Sequence, residues 1–120
     1  MNIIIGKQNL EGVDSKHIVL ELDTFHLVPV GEDLQAYCVV ENIPIDQLPQ
    51  VENLRELHQS LINGYRDRRW DHCINTIEHL MGAWGKELDT FYQELCARIQ
   101  DYQAQDPGDD WDWRIPKQVA

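Results

Sequence analysis

Residues Asn63–Met81 read NGYRDRRWDHCINTIEHLM, and this stretch decides half of the architecture. One apolar helical pattern closes at Tyr65, a short charged turn follows, and a second pattern opens at Trp70. Small or apolar side chains then recur at Cys73, Ile77 and Leu80, a spacing that keeps them on one helix face. The stretch is the join of a helical hairpin. It carries no catalytic signature, and neither does any other segment.

Working outward, Val51, Leu54, Leu57, Leu61 and Tyr65 form a stripe that predicts a first helix from Pro49 to Tyr65, opened by Asp46 and Pro49. The second helix starts at Trp70. Its apolar phase continues past Met81 through Trp84, Leu88, Phe91, Leu95, Ile99 and Tyr102. One helix from Trp70 to Tyr102 would run about 50 Å, longer than a domain of this size covers. Gly82 and Gly85 each cost about 1 kcal/mol inside a helix, so the second helix is expected to end near Met81 and a third to start near Lys86.

Residues 1–43 read as strands. Asn2–Ile5 is an apolar run closed by Gly6, and Glu11-Gly12 with Asp14-Ser15 marks a loop. His17–Leu27 alternates, with Ile18, Leu20 and Leu22 on one face and Glu21 and Asp23 on the other. Leu34–Ile43 places Ala36, Cys38 and Val40 on one side, and Pro29 with Gly31-Glu32-Asp33 supplies a hairpin connection. A three-stranded antiparallel meander with one buried face is expected. Pro44 and Pro49 then end the strand region. The pentapeptide ELDTF occurs at 21–25 and again at 87–91. The surrounding period predicts strand for the first copy and helix for the second.

A length of 120 residues and an apolar fraction of 42% suit a single globular domain, 1–120. Its parts are a meander over 1–43, a helical region over 49–104 and an extended tail over 105–120. The net charge of −11 divides as −6 over 1–49, −2 over 50–100 and −3 over 101–120, so no part reads as basic. Such a surface repels phosphate backbones and anionic lipid, which argues against nucleic acid and membrane as partners. Arg66, Arg68 and Arg69 form the one cationic cluster, and Asp67 and Asp71 among them give it the character of a solvated turn. Cys38, Cys73 and Cys96 are odd in number and widely spaced, which fits a reducing cytoplasm and no disulfide framework. The first residues hold too short an apolar run for a signal peptide, and no run approaches spanning length.

Three resemblances follow from these residues. The hairpin is similar to one tetratricopeptide-like unit, with Cys73 at its small helix-packing position and Ile77 at its large apolar one, although the first helix lacks the Leu-Gly pair of that pattern. Tyr65–Trp113 resembles the helical tail that follows some bacterial nucleotide-cyclase catalytic domains, through Tyr65, Arg69-Trp70, Tyr92, Arg98 and Trp111-Asp112. Without that catalytic domain the resemblance implies no activity. With VLELDTF at 19–25 and ELDTFY at 87–92, the chain also resembles small uncharacterised proteins encoded by marine cyanophages. That resemblance implies the host-cell cytoplasm and assigns no functional residue.

Candidate chemistry is sparse. His58, His72 and His79 are the candidate metal ligands, but His72 and His79 stand about two helical turns apart, near 10 Å, too far for one ion unless the partner helix contributes between them. Cys73 lies on the apolar stripe and reads as a small core residue. Asp106, Asp109, Asp110 and Asp112 lack the order of a calcium loop and read as a solvated acidic tail. Glu21 and Asp23 point to one strand face and His26 to the other, so these three are not expected to converge. No cofactor motif is present. The aromatic excess points instead to an interface, with Tyr92, Trp111 and Trp113 as anchors.

The sequence therefore predicts an α+β protein, with a three-stranded antiparallel sheet, three helices and a tail strapped over the body. It predicts a non-catalytic interaction module that self-associates as a homodimer and meets a protein partner the residues do not identify. The alternative is a small metal-dependent or acid–base enzyme using His58, His72, Glu78 and His79.

Overall fold

The computed structural model describes residues 2–6, 18–40 and 45–118. The expected loop at Glu11–Ser15, His17, the end of the third strand at 41–43 and Pro44 lie outside the described residues. The protein is α+β. Its elements run β1 (Asn2–Ile5), β2 (Ile18–Val28), β3 (Glu32–Val40), α1 (Leu48–Arg66), α2 (Trp70–Leu80), α3 (Asp89–Ala104) and β4 (Ile115–Gln118), with a 3-10 turn at Ile45–Gln47 before α1. The chain divides into two compact units: Met1–Pro49 with Trp113–Ala120, and Gln50–Asp112.

In the first unit the sheet order is β1-β3-β2-β4, with β4 parallel to β2 and the other pairs antiparallel. This corrects the expected three-stranded meander in two ways. β1 neighbours β3 rather than β2, because the hairpin joins β2 to one edge of β3 and leaves the other edge for β1. A fourth strand comes from the tail. The hairpin turns at Pro29–Gly31, where Gly31 takes φ +80° and its N–H donates to the Leu27 carbonyl at 2.8 Å. The alternation sets the buried face as expected: Ile18, Leu20 and Leu22 from β2 and Ala36, Cys38 and Val40 from β3 are buried.

That alternation breaks once. Glu21 opposes Tyr37 and Thr24 opposes Gln35, so Leu22 and Asp23 share the single partner Ala36 in a β-bulge. The Gln35 side chain fills the gap in the ladder. Its amide nitrogen donates towards the carbonyls of Leu22 (3.1 Å), Asp23 (3.2 Å) and Ala36 (2.9 Å), and its oxygen accepts from Thr24 Oγ1.

In the second unit the three helices lie close to the expected spans. α2 ends at Leu80, and Gly82 (φ +78°) and Gly85 (φ +62°) occupy left-handed conformations that make the break. α3 starts at Asp89 rather than near Lys86, because Lys86 itself sits at φ +69° and cannot join a right-handed helix. The two ELDTF copies separate accordingly, the first in β2 and the second running from the turn into α3. α1 and α2 approach closely at Gly64, where an added Cβ would stand 2.9 Å from the His72 ring and 3.3 Å from Cys73 Sγ.

Candidate functional site

The helical unit centres on a buried polar chain. Tyr92, Leu95 and Ile99 form the buried face of α3, and His58 of α1 is equally buried. Trp84 Nε1–H, from the turn between α2 and α3, donates to Tyr92 Oη at 3.0 Å. The same hydroxyl is hydrogen-bonded to His58 Nδ1 at 2.8 Å. One phenol oxygen thus joins an indole and an imidazole inside the core, where polar atoms need partners. Tyr92, expected at an interface, is fully buried and offers no surface to a partner.

The candidate metal ligands are not brought together. His58 is in the core, whereas His72 and His79 are exposed. His72 Nε2 bonds Ser60 Oγ at 2.9 Å, and His79 Nδ1–H donates to the Asn75 carbonyl at 2.8 Å. Glu78 is exposed on α2. Among the described residues, no three His, Cys, Asp or Glu side chains stand close enough to hold a metal ion. Cys73 is buried against α1, with Sγ 3.7 Å from the Leu61 carbonyl, and burial pushes its thiol up to about 11, away from nucleophilic use.

At the other end of the helices four rings meet. Tyr65, Trp70, Tyr102 and Trp111 have centroid separations of 5.2 to 6.5 Å, mostly edge-to-face. Trp111 belongs to the tail, and Arg68 holds the tail there. Arg68, at φ +60°, lays its guanidinium 5.3 Å from the Trp111 ring centroid and donates to Asp106 Oδ1 (3.4 Å) and to the Gly108 and Trp111 carbonyls. Arg68 is therefore a structural clamp rather than part of a solvated turn. An open depression of about 460 Å³ beside it is lined by Arg68, Arg69, Trp70, Asp71, His72 and Gln103. Its polar groups already have partners within the chain: Arg69 lies 3.8 Å from Asp67, and Gln103 donates to Asp71.

In the sheet unit a second cluster forms that the sequence did not anticipate. Cross-strand partners share a face, and the bulge shifts β2 by one residue, so His26 returns to the face of Glu21. This corrects the expectation that they point apart, although they do not converge on one site. His26 meets Asp33 across the hairpin, with Nδ1–H donating to Oδ1 at 2.7 Å. Arg114, next to β4, donates to both oxygens of the same carboxylate, at 2.9 and 3.2 Å. The hydrogen bond from His26, then Arg114, holds the Asp33 carboxyl below its ordinary range. The phase slip was readable in IVLELDTFHLV, where apolar residues step by two from Ile18 to Leu22 and then by three to Phe25. Nothing local to Arg114 signals its partner.

The remaining interface candidates behave differently from each other. Trp111 is half-buried in the ring cluster, and Trp113 is 38% exposed. Trp113 sits at φ +59°, which breaks the extended conformation expected of the tail. A surface feature of another kind lies on β1. Ile3 opposes Cys38 and Ile5 opposes Ala36, so both isoleucines stand on the buried face of the sheet, yet they are 58% and 49% exposed. No described helix is long and apolar enough to cross a membrane. Comparison with protein-family models, with curated proteins and with solved structures finds no match.

Proposed function

We propose that this protein is a non-catalytic interaction module that self-associates as a homodimer through β1. The observation that carries the reading is the exposure of Ile3 and Ile5 on a face that is otherwise core. Among the described residues β1 is an outer strand, and its sequence NIII has neither charge nor proline. The other outer strand, IPKQ, carries both a proline and a lysine, the residues that discourage strand-to-strand association. Two copies of a chain of net charge −11 repel, so contact is favoured where charge is absent. A second copy packing its own β1 there covers four half-exposed isoleucines. At about 1 kcal/mol each this contributes about 4 kcal/mol, to which pairing along the two strands must add to outweigh the freedom lost on association.

Sedimentation equilibrium up to about 1 mM protein tests this. The natural chain is expected to show a reversible dimer, and Ile3→Lys a monomer with an unchanged melting temperature. A strict monomer for the natural chain over that range removes the self-association reading.

A further inference from the structure

Strand β1 has a second property beside its half-exposed isoleucines, and it lies in the backbone. In an antiparallel ladder, opposed residues alternate between pairs that exchange hydrogen bonds and pairs that do not. Gly6 N–H donates to the Gln35 carbonyl at 2.9 Å, which fixes the phase of the ladder between β1 and β3. Two residues further back each time, Ile4 with Tyr37 and Asn2 with Val39 are the other bonded pairs. Ile3 and Ile5 therefore turn N–H and C=O away from β3, towards the outer edge. Their side chains stand on the core face of the sheet. The outward backbone groups and the exposed apolar surface belong to the same two residues.

Ile5 already has a further contact within its own chain, whereas nothing among the described residues meets the outward groups of Ile3. Ile3 offers one donor and one acceptor side by side, the set that a bonded antiparallel pair needs from each member. It is thus complementary to Ile3 of a second copy across a two-fold axis. Opposing Ile3 to Ile4 instead would need groups that Ile4 gives to Tyr37, and would join the core face of one copy to the outer face of the other. Opposing Ile3 to Ile5 would call on the engaged Ile5 of both copies. We infer that two copies join edge to edge and antiparallel, with Ile3 opposite Ile3, so that one sheet runs through both chains. This deepens the proposed self-association through β1 and rests on it. Packing the isoleucines of two copies face to face would leave the outward groups of Ile3 unpaired, and joining the edges pairs them.

Disulfide capture tests the register in a Cys96→Ser background, where the remaining cysteines, Cys38 and Cys73, are buried. Oxidised Ile3→Cys chains are expected to give a covalent dimer, because bonded partners stand about 5.5 Å apart between Cα atoms, within the reach of a disulfide. Ile4→Cys should give about tenfold less, since its two copies would lie beyond the roughly 7 Å that a disulfide spans. The natural chain supplies a second measurement. Exchange of the Ile3 amide should slow about twofold at the concentration where sedimentation finds half of the chains paired, since only the unpaired half exchanges. Two results overturn the edge pairing while leaving self-association standing. One is a dimer in which Ile4→Cys cross-links as well as Ile3→Cys or better. The other is a dimer whose Ile3 amide exchanges at the same rate at every concentration. A strict monomer removes both readings.

Discussion

Replacing Tyr92 by Phe removes one oxygen atom and nothing else. That oxygen is fully buried and serves both Trp84 Nε1–H at 3.0 Å and His58 Nδ1 at 2.8 Å. Each buried group left without its partner costs about 1–3 kcal/mol, so the substitution should destabilise the fold by about 3 kcal/mol or more. At roughly 4 °C per kcal/mol for a chain of this length, the melting temperature should fall by about 12 °C. Circular dichroism melts together with urea titrations measure it, and an unchanged urea slope would show that the loss is one of stability rather than of cooperativity. Tyr65→Phe supplies the control. Its hydroxyl accepts from Arg98 Nη1 at a long 3.4 Å and meets Tyr102 within the ring cluster, so its loss should cost less than that of the Tyr92 hydroxyl. If Tyr92→Phe lowers stability no more than Tyr65→Phe does, the hydroxyl is not the fastener of the core.

Other outcomes follow from the same geometry. The Asp33 carboxyl is held low, so its ion contact is complete above the ordinary value of 3.8 and is lost as pH falls through the lower folded value. The protection factors of the β4 amides bonded to β2, corrected for the intrinsic slowing of exchange in acid, should therefore fall in acid, and Asp33→Asn should lower them at neutral pH and abolish that dependence. Iodoacetamide followed by mass spectrometry should label Cys96 first and spare the buried Cys38 and Cys73 in the folded chain. Because burial raises the Cys73 thiol from 9.0 to about 11, stability should be complete below pH 9 and decline as pH rises towards 11, with Cys73→Ala reducing the decline. Ending the chain after Gln105 removes Trp111 from its ring cluster and should cost about 2 kcal/mol, the amount expected for a half-buried tryptophan. An unchanged melting temperature would mean that the tail contributes nothing to the helical unit.

Much of this architecture is legible in the sequence because burial repeats with the period of the element that carries it. The stripe to Tyr65, the restart at Trp70 and the break at Gly82 and Gly85 are local signals, and they place the helices to within a few residues. Tyr92 shows how a local signal misleads by one position. A stripe drawn through Leu88, Phe91 and Leu95 leaves Tyr92 beside it, whereas the buried face runs through Leu88, Tyr92, Leu95 and Ile99. The two stripes differ by one residue, about 100° around the helix, and their steps of three and four are equally regular. Strand neighbours are harder still. Alternation says which side chains share a face but not which strand lies alongside, so neither β1 beside β3 nor β4 beside β2 could be read from it. β4 is also four residues long with a proline, below the length at which a period shows.

The residues of chemical type and those that look functional are therefore different sets, and the reason is physical. His58, His26, Cys73 and Arg68 carry groups that bear or shape chemistry in many proteins. Here each is engaged by its own chain. His58 bonds Tyr92, His26 bonds Asp33, Cys73 fills the close approach at Gly64, and Arg68 clamps the tail. Each such contact serves the fold, since reorienting the side chain breaks a bond that the fold uses. Ile3 and Ile5 differ in kind. They are apolar and half-exposed on the face of the sheet that is otherwise core, and that exposure costs free energy. The cost falls on β1, an outer strand among the described residues. On the proposed reading, a second copy packed against β1 would return that cost, and it would carry the same uncharged strand to do so.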